Sequence, residues 1–237
     1  MPIFFLSNNL NFPSPDLAEE NGLLAAGGDL SPERLIQAYR SGVFPWYNPG
    51  EPILWWSPDP RFIIEPERFH VPRRLARTIR QDRFKFTIDA AFEDVIRSCS
   101  ALRNESRTGT WLSPEMVEAY IRLYELGIAH SAEVWAGDEL SGGLYGIVLG
   151  KVFFGESMFS IKKDASKTAF VNFVRTLFSL DCQLIDCQLP SRHLAQFGAM
   201  GMPRKEFISK LKVLVDAPSI ILPSESIIKK RCKGYLP

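Results

Sequence analysis

In the stretch CQLIDCQLP a carboxylate, Asp186, and an amide, Gln188, stand two residues apart among apolar neighbours. On a strand, residues i and i+2 share a face, so the two project together while Ile185, Cys187 and Leu189 point the other way. A buried carboxylate without partners is costly, so Asp186 must be hydrogen-bonded to something. On the residues alone two readings stay open. The pair faces a substrate, or Asp186 is a structural cap or the partner of a nearby arginine. A second carboxylate, Glu156, lies in FFGESMFS amid Phe153, Phe154, Met158 and Phe159. That segment departs from the hydrolase elbow G-x-S-x-G at Phe159, where the closing glycine is missing, which removes Ser157 as a nucleophile. Glu156 reads either as a site acid or as a charge on an edge strand.

Other residue sets have two readings as well. Phe153, Met158, Phe170, Phe173 and Leu177 either line a cavity for an apolar side chain or form ordinary core. Trp46, Trp55 and Trp56 either offer stacking faces for bases or pack a proline-rich loop. Arg73, Arg77 and Arg80 recur at the spacing of one helix face, a basic ridge suited to phosphates or to solvent. The balance of 28 Lys and Arg against 27 Asp and Glu announces no nucleic-acid partner by itself. There is no Walker A loop and no G-x-G-x-x-G after a strand. The cysteines, Cys99, Cys182, Cys187 and Cys232, form no C-x-x-C pair, so free thiols are expected and a zinc site is not. No metal and no cofactor is expected. The opening MPIFFLSNNL lacks an export leader, and no apolar run reaches membrane-spanning length, so a cytoplasmic protein without a membrane partner is expected.

The elements that must carry these residues follow from capping and periodicity. With 46% hydrophobic and 23% charged residues, the chain has the composition of a globular protein. SPERLIQAYRSG reads as a helix capped by Ser31 and ended at Gly42. The next stretch, VFPWYNPGEPILWWSPDPR, carries prolines at 45, 49, 52, 58 and 60 and is expected to hold neither a helix nor a central strand. A domain boundary is placed near Asp59. Beyond it, RFIIEP suggests a strand, VPRRLARTIRQDR a helix, FKFTID a strand, AFEDVIRSC a helix, and SPEMVEAYIRLYELG a helix from Ser113 to Gly127. HSAEVWAGDELSGGLYGIVLGKVFFGESMFS reads as a three-stranded antiparallel meander. DASKTAFVNFVRTLFSLD is an amphipathic helix. SRHLAQFGAMGMPRKEFISKLK reads as two short helices split at Gly198. The expected class is α+β, a mixed sheet with helices packed on it.

Four segments, GLLAAGGDLSPERLIQAYRSGVFPWYNPGEPILWWSPDPR, GTWLSP, FFGESMFSIKKDASKTA and LIDCQLPSRHLAQFGAM, closely resemble the leucyl/phenylalanyl-tRNA-protein transferases, in order, from about Asn21 to Leu211. The resemblance implies a small mixed N-terminal domain, residues 1–59, helping to hold tRNA, and a larger one, 60–237, similar to the N-acetyltransferase (GNAT-like) fold. It implies transfer of Leu, Phe or, less well, Met from aminoacyl-tRNA to proteins beginning with Arg or Lys, which are then degraded under the N-end rule. The acyl ester of charged tRNA is already activated, so no energy-supplying cofactor is needed. The loop FSIKKDASK, where acetyltransferases cradle coenzyme A on glycines, has none.

The resemblance also distributes roles. Asp186 would polarise Gln188, whose oxygen accepts a hydrogen bond from the attacking amine, and Glu156 would meet the basic N-terminal residue of the acceptor. Leu144, Phe153, Met158, Phe170, Phe173 and Leu177 would hold the aminoacyl side chain, with Leu144 and Leu177 departing from the Met and Phe of relatives. Trp46 and Trp111, with Tyr39 and Tyr120 nearby, would hold the terminal adenosine, and Arg73, Arg77 and Arg80 the tRNA backbone. A monomer is expected. Three rivals remain: a coenzyme A-dependent acyltransferase, a tRNA-dependent transferase acting on cell-wall precursors, and a non-catalytic RNA-binding module.

Overall fold

The computed structural model describes residues 3–104 and 112–223. Its first part contains β1 (Phe4–Leu6), β2 (Leu23–Gly27), α1 (Pro32–Arg40), β3 (Phe44–Pro45) and β4 (Leu54–Trp56). The strands form one sheet in the order β1-β2-β4-β3. Helix α1 starts as expected, with Pro32 in its first turn and the Ser31 hydroxyl accepting from the Arg34 N–H. It stops at Gly42, whose φ of +75° and whose tight fit against Ile208 leave no room for a side chain.

One expectation fails here. The proline-rich stretch does hold an inner strand, because β4 pairs with β2 on one side and β3 on the other. The prolines flank the Leu54-Trp55-Trp56 triplet and never interrupt it, so every N–H needed for the ladder survives. Trp55 is fully buried and its indole N–H donates to the Gly27 carbonyl at 2.8 Å.

The rest of the chain runs through β5 (Arg61–Ile64), α2 (Arg73–Arg80), β6 (Lys85–Ile88), α3 (Phe92–Asn104), α4 (Pro114–Glu125), β7 (Ala129–Ala136), β8 (Glu139–Leu149) and β9 (Val152–Ser160). It continues with α5 (Ala165–Ser179), β10 (Leu184–Gln188), α6 (Arg192–Ala195), β11 (Met200–Met202) and α7 (Arg204–Val215). The seven strands β5 to β11 form a second sheet in the order β11-β5-β10-β9-β8-β7-β6. The expected meander is present as β7-β8-β9. The two short helices expected after β10 require correction. A strand, β11, lies between them and pairs with β5, and the second helix, α7, runs for 12 residues.

Helix α5 packs on one face of this sheet, where Phe153, Phe170, Phe173, Leu177 and Ile185 share a buried cluster. Helices α3 and α4 cover the opposite face. There the core is continuous with that of the first sheet, joining Tyr39, Phe44 and Trp55 to Tyr120, Tyr145 and Phe154. Among the described residues no helix is long and apolar enough to cross a membrane.

Candidate active site

Strand β10 runs parallel to β9 and pairs with it only from Leu184 opposite Val152 to Asp186 opposite Phe154. Beyond that point the ladder ends, and the polar side chains the sequence singled out lie at and just past its end, Asp186 and Gln188 on β10 and Glu156 within β9. The gap is bridged by side chains: Gln188 Nε2 donates to Glu156 Oε1 at 2.7 Å.

Both residues sit at breaks in regular pairing. In β9, Tyr145 lies opposite Ser157 and Gly146 opposite Gly155, so Glu156 is the extra residue of a bulge. Glu156 is therefore not an edge-strand charge. Its strand lies between β8 and β10, and the bulge turns its carboxyl towards α1 and α4. In β10, Asp186 opposes Ile63 and Gln188 opposes Phe62, with Gln188 at a φ of +63°. Through this bulge Ile185 and Cys187 pack on the α5 side and Asp186 and Gln188 bond on the other, as expected, while Leu189, expected with the first two, is exposed.

Glu156 accepts more hydrogen bonds than its sequence neighbours suggested. Towards the ionised carboxyl Tyr39 Oη donates to Oε1 and Tyr120 Oη to Oε2, each at 2.7 Å, and the two hydroxyl oxygens lie 2.5 Å from each other. Burial pushes the Glu156 carboxyl up to about 7, against the opposing pull of these donors. The same burial, with Glu156 beside them, holds both tyrosine hydroxyls well above their ordinary values. Tyr39 and Tyr120 are wholly buried, so they reach the site by their hydroxyls and not by a stacking face.

Asp186 is fully buried and is bound by Arg61, with Nε donating to Oδ1 at 2.8 Å and Nη2 to Oδ2 at 2.6 Å. This is the arginine ion pair that the sequence left open as one reading of Asp186. Asp186 Oδ1 also accepts from the backbone N–H of Gln188 at 2.8 Å. It thus holds the main chain of Gln188, while the amide side chain is oriented by Glu156. Arg61 itself lies between the rings of Phe44 and Phe207, 4.7 and 4.8 Å from their centroids, and donates to the Gly42 carbonyl. Sequence reasoning missed Arg61 as part of the site. It stands 125 residues from Asp186, and nothing local to its strand distinguishes it.

The apolar set is brought together as one cluster. Leu144, Phe153, Phe170, Phe173 and Leu177 are each at most 3% exposed, and Met158, opposite Leu144 in the β8-β9 ladder, is half-buried at its margin. Trp46 is 41% exposed, tilted against Trp56 at 5.6 Å. Trp111 lies outside the described residues. Arg73, Arg77 and Arg80 are exposed and line a groove of about 450 Å³ along α2. Arg74, Arg83, Lys162 and Lys163 line a second groove of about 450 Å³ between α2 and the loop before α5.

A family model described as Leucyl/phenylalanyl-tRNA protein transferase matches residues 63–212, and one described as Leucyl/phenylalanyl-tRNA protein transferase N-terminal domain matches residues 28–59. A protein named leucyl/phenylalanyl-tRNA-protein transferase from Anaeromyxobacter sp. (strain Fw109-5) is 56% identical over 220 residues, covering 93% of this chain and 94% of its own. Proteins of the same name from Desulfatibacillum aliphaticivorans and Myxococcus xanthus (strain DK1622) are 51% and 49% identical, over 93% and 92% of this chain and 94% of their own lengths.

Proposed function

Because this chain belongs to the leucyl/phenylalanyl-tRNA protein transferase family, we propose that it moves Leu, Phe and, less well, Met from aminoacyl-tRNA to the α-amine of proteins beginning with Arg or Lys, marking them for N-end rule degradation. The observation that carries this reading is the Gln188–Glu156 bridge across the end of the β9-β10 ladder. With its Nε2 donating to Glu156, the Gln188 amide keeps its oxygen as a hydrogen-bond acceptor.

Attack of an amine on the tRNA ester needs an uncharged nitrogen whose lone pair points at the carbonyl. An amide oxygen is a poor base but a good orienting acceptor, so Gln188 aims the amine and proximity supplies much of the rate. Glu156 attracts the cationic first residue of the acceptor. Asp186 and Arg61 act one layer behind, holding the backbone of Gln188 in its left-handed conformation. The ester is already activated, which fits a site built from hydrogen-bonding side chains.

On the α5 side, the cluster around Phe153 and Phe173, with Met158 at its margin, receives the aminoacyl side chain. A cleft of that shape resists β-branched Ile and Val. Trp46 and Trp111 hold the terminal adenosine, and Tyr39 and Tyr120 back that site through Glu156. Arg73, Arg77 and Arg80 follow the tRNA backbone. The proposal includes the division at Asp59 and the likeness of residues 60–237 to the N-acetyltransferase fold. The parting of the parallel strands β9 and β10 supports the latter.

The test is incubation with Leu-tRNA or Phe-tRNA and peptides varying only in the first residue. Mass gain on Arg and Lys peptides alone supports the reading. Equal gain on every peptide removes the acceptor preference, and gain from acyl-coenzyme A in place of charged tRNA removes the donor.

A further inference from the structure

Three oxygen-to-oxygen contacts close a ring at the site: Tyr39 to Tyr120, Tyr39 to Glu156 Oε1, and Tyr120 to Glu156 Oε2. Each contact is at hydrogen-bond distance, so each needs a proton between its oxygens. The two hydroxyls supply one proton apiece. If both point at Glu156, two tyrosine oxygens face each other 2.5 Å apart with nothing between them. If one tyrosine donates to the other, one contact with Glu156 is left empty unless the carboxyl carries the missing proton. Glu156 Oε1 already accepts the Gln188 N–H, which adds no proton to the ring.

We propose that Glu156 is a carboxylic acid in the ligand-free protein, closing a three-proton ring with Tyr39 and Tyr120, and that a cationic acceptor binds as this proton leaves for solvent. The proposal rests on the reading of Glu156 as partner of the acceptor's basic residue. The incoming guanidinium or ammonium restores the positive charge that the departing proton takes away, and its N–H groups fill the lone pairs that the opened ring exposes.

The groups facing Glu156 among the described residues fit a neutral carboxyl. Tyr39 comes from α1 and Tyr120 from α4, with Tyr145 of β8 beside these two tyrosines, none of them cationic. From β10 come Gln188 and Asp186, and the charge of Asp186 opposes a second carboxylate nearby. The nearest arginine described at the site, Arg61, is committed to Asp186 through both of its oxygens. Burial raises the carboxyl in the same direction, to about 7.

The consequence is that acceptor affinity falls by about tenfold for each pH unit below the Glu156 midpoint and levels off above it. Infrared difference spectra of the full chain, with Glu156→Gln as reference, should contain a carboxylic-acid carbonyl band. An Arg-ended peptide added at about pH 6 should abolish that band and release about one proton per peptide to the buffer. In Tyr39→Phe and in Tyr120→Phe the ionised carboxyl loses a donor, and the midpoint of the band should rise. Glu156→Gln should weaken acceptor binding and flatten the pH dependence of KM for the Arg-ended peptide, since its amide cannot ionise. Absence of the band, or a band that survives peptide binding while transfer to the same peptide proceeds, overturns the ring. Failure of transfer to Arg-ended and Lys-ended peptides at every pH, with the band present and titrating, overturns the acceptor reading instead.

Discussion

Arg61 and Asp186 form a two-point ion pair in which neither side chain has any exposure to solvent. A buried pair of this geometry owes its net stability to having both members present. Removing one strands the other's charge, at a cost of about 3–5 kcal/mol, whereas replacing both with apolar groups of similar size is far milder. Arg61→Met and Asp186→Leu should each lower stability by that amount, and the double variant by clearly less than their sum. Denaturant midpoints of the four proteins check this. Additive losses would mean that the contact is not what holds these residues.

Gln188 is partly exposed and makes its side-chain bond to Glu156, so its loss should tax chemistry more than folding. Gln188→Ala should lower transfer from Phe-tRNA to an Arg-ended peptide by tenfold or more, about 1.4 kcal/mol in the barrier, while the melting midpoint stays close to that of the parent. Single-turnover rates separate this from slower product release. Unchanged turnover would take Gln188 out of the mechanism.

The Glu156 carboxyl sits at about 7 in the folded chain against an ordinary 4.5, chiefly through burial. A raised folded-state value favours the protonated form, so this group's stabilisation is complete below its unfolded value and is lost as pH climbs. Relative to Glu156→Gln, the parent should lose about 3 kcal/mol of stability between about pH 4.5 and about pH 7, and no more above it. Unfolding curves across that range, taken on both proteins, measure the difference. A gap that stays constant with pH would exclude the shift.

The exposed arginines of α2 should act through phosphate charge alone. Changing Arg73, Arg77 and Arg80 together to Ala should weaken tRNA binding and reduce the slope of log affinity against log salt by about 2 to 3. Filter binding over a salt series reads that slope. A slope equal to the parent's would return these residues to plain surface.

Phe173 is fully buried and meets Phe153 edge-on at 5.1 Å. Phe173→Ala should cost about 3–5 kcal/mol of stability through the cavity it leaves. If the cluster also receives the donor side chain, the same cavity should relax discrimination between Leu and the bulkier Phe. Stability falling with donor preference unmoved would make these residues core and nothing more.

The amino-acid order by itself determined most elements, because their signals are local. Ser31 with Pro32 and Ser113 with Pro114 mark helix starts, and Gly42 and Gly127 mark their ends. The alternation between His130 and Ser160 yields the meander without reference to anything distant. It also singled out Asp186, Gln188 and Glu156, since polar groups in apolar strands are conspicuous on one line of text. Strand β11, three residues with a glycine at its centre, carries no such signal and exists because β5 offers it an edge. Likewise β4 is a strand because β2 and β3 satisfy its backbone from both sides. Only the tertiary structure decided which partners the polar residues find. Arg61 meets Asp186 across 125 positions, and Tyr39 meets Glu156 across 117. Two bulges aim these groups, and a bulge depends on how two strands register against each other, which neither strand encodes alone. The protonation of Glu156 is decided at the same level, by the burial and the oxygen neighbours that folding assembles around it.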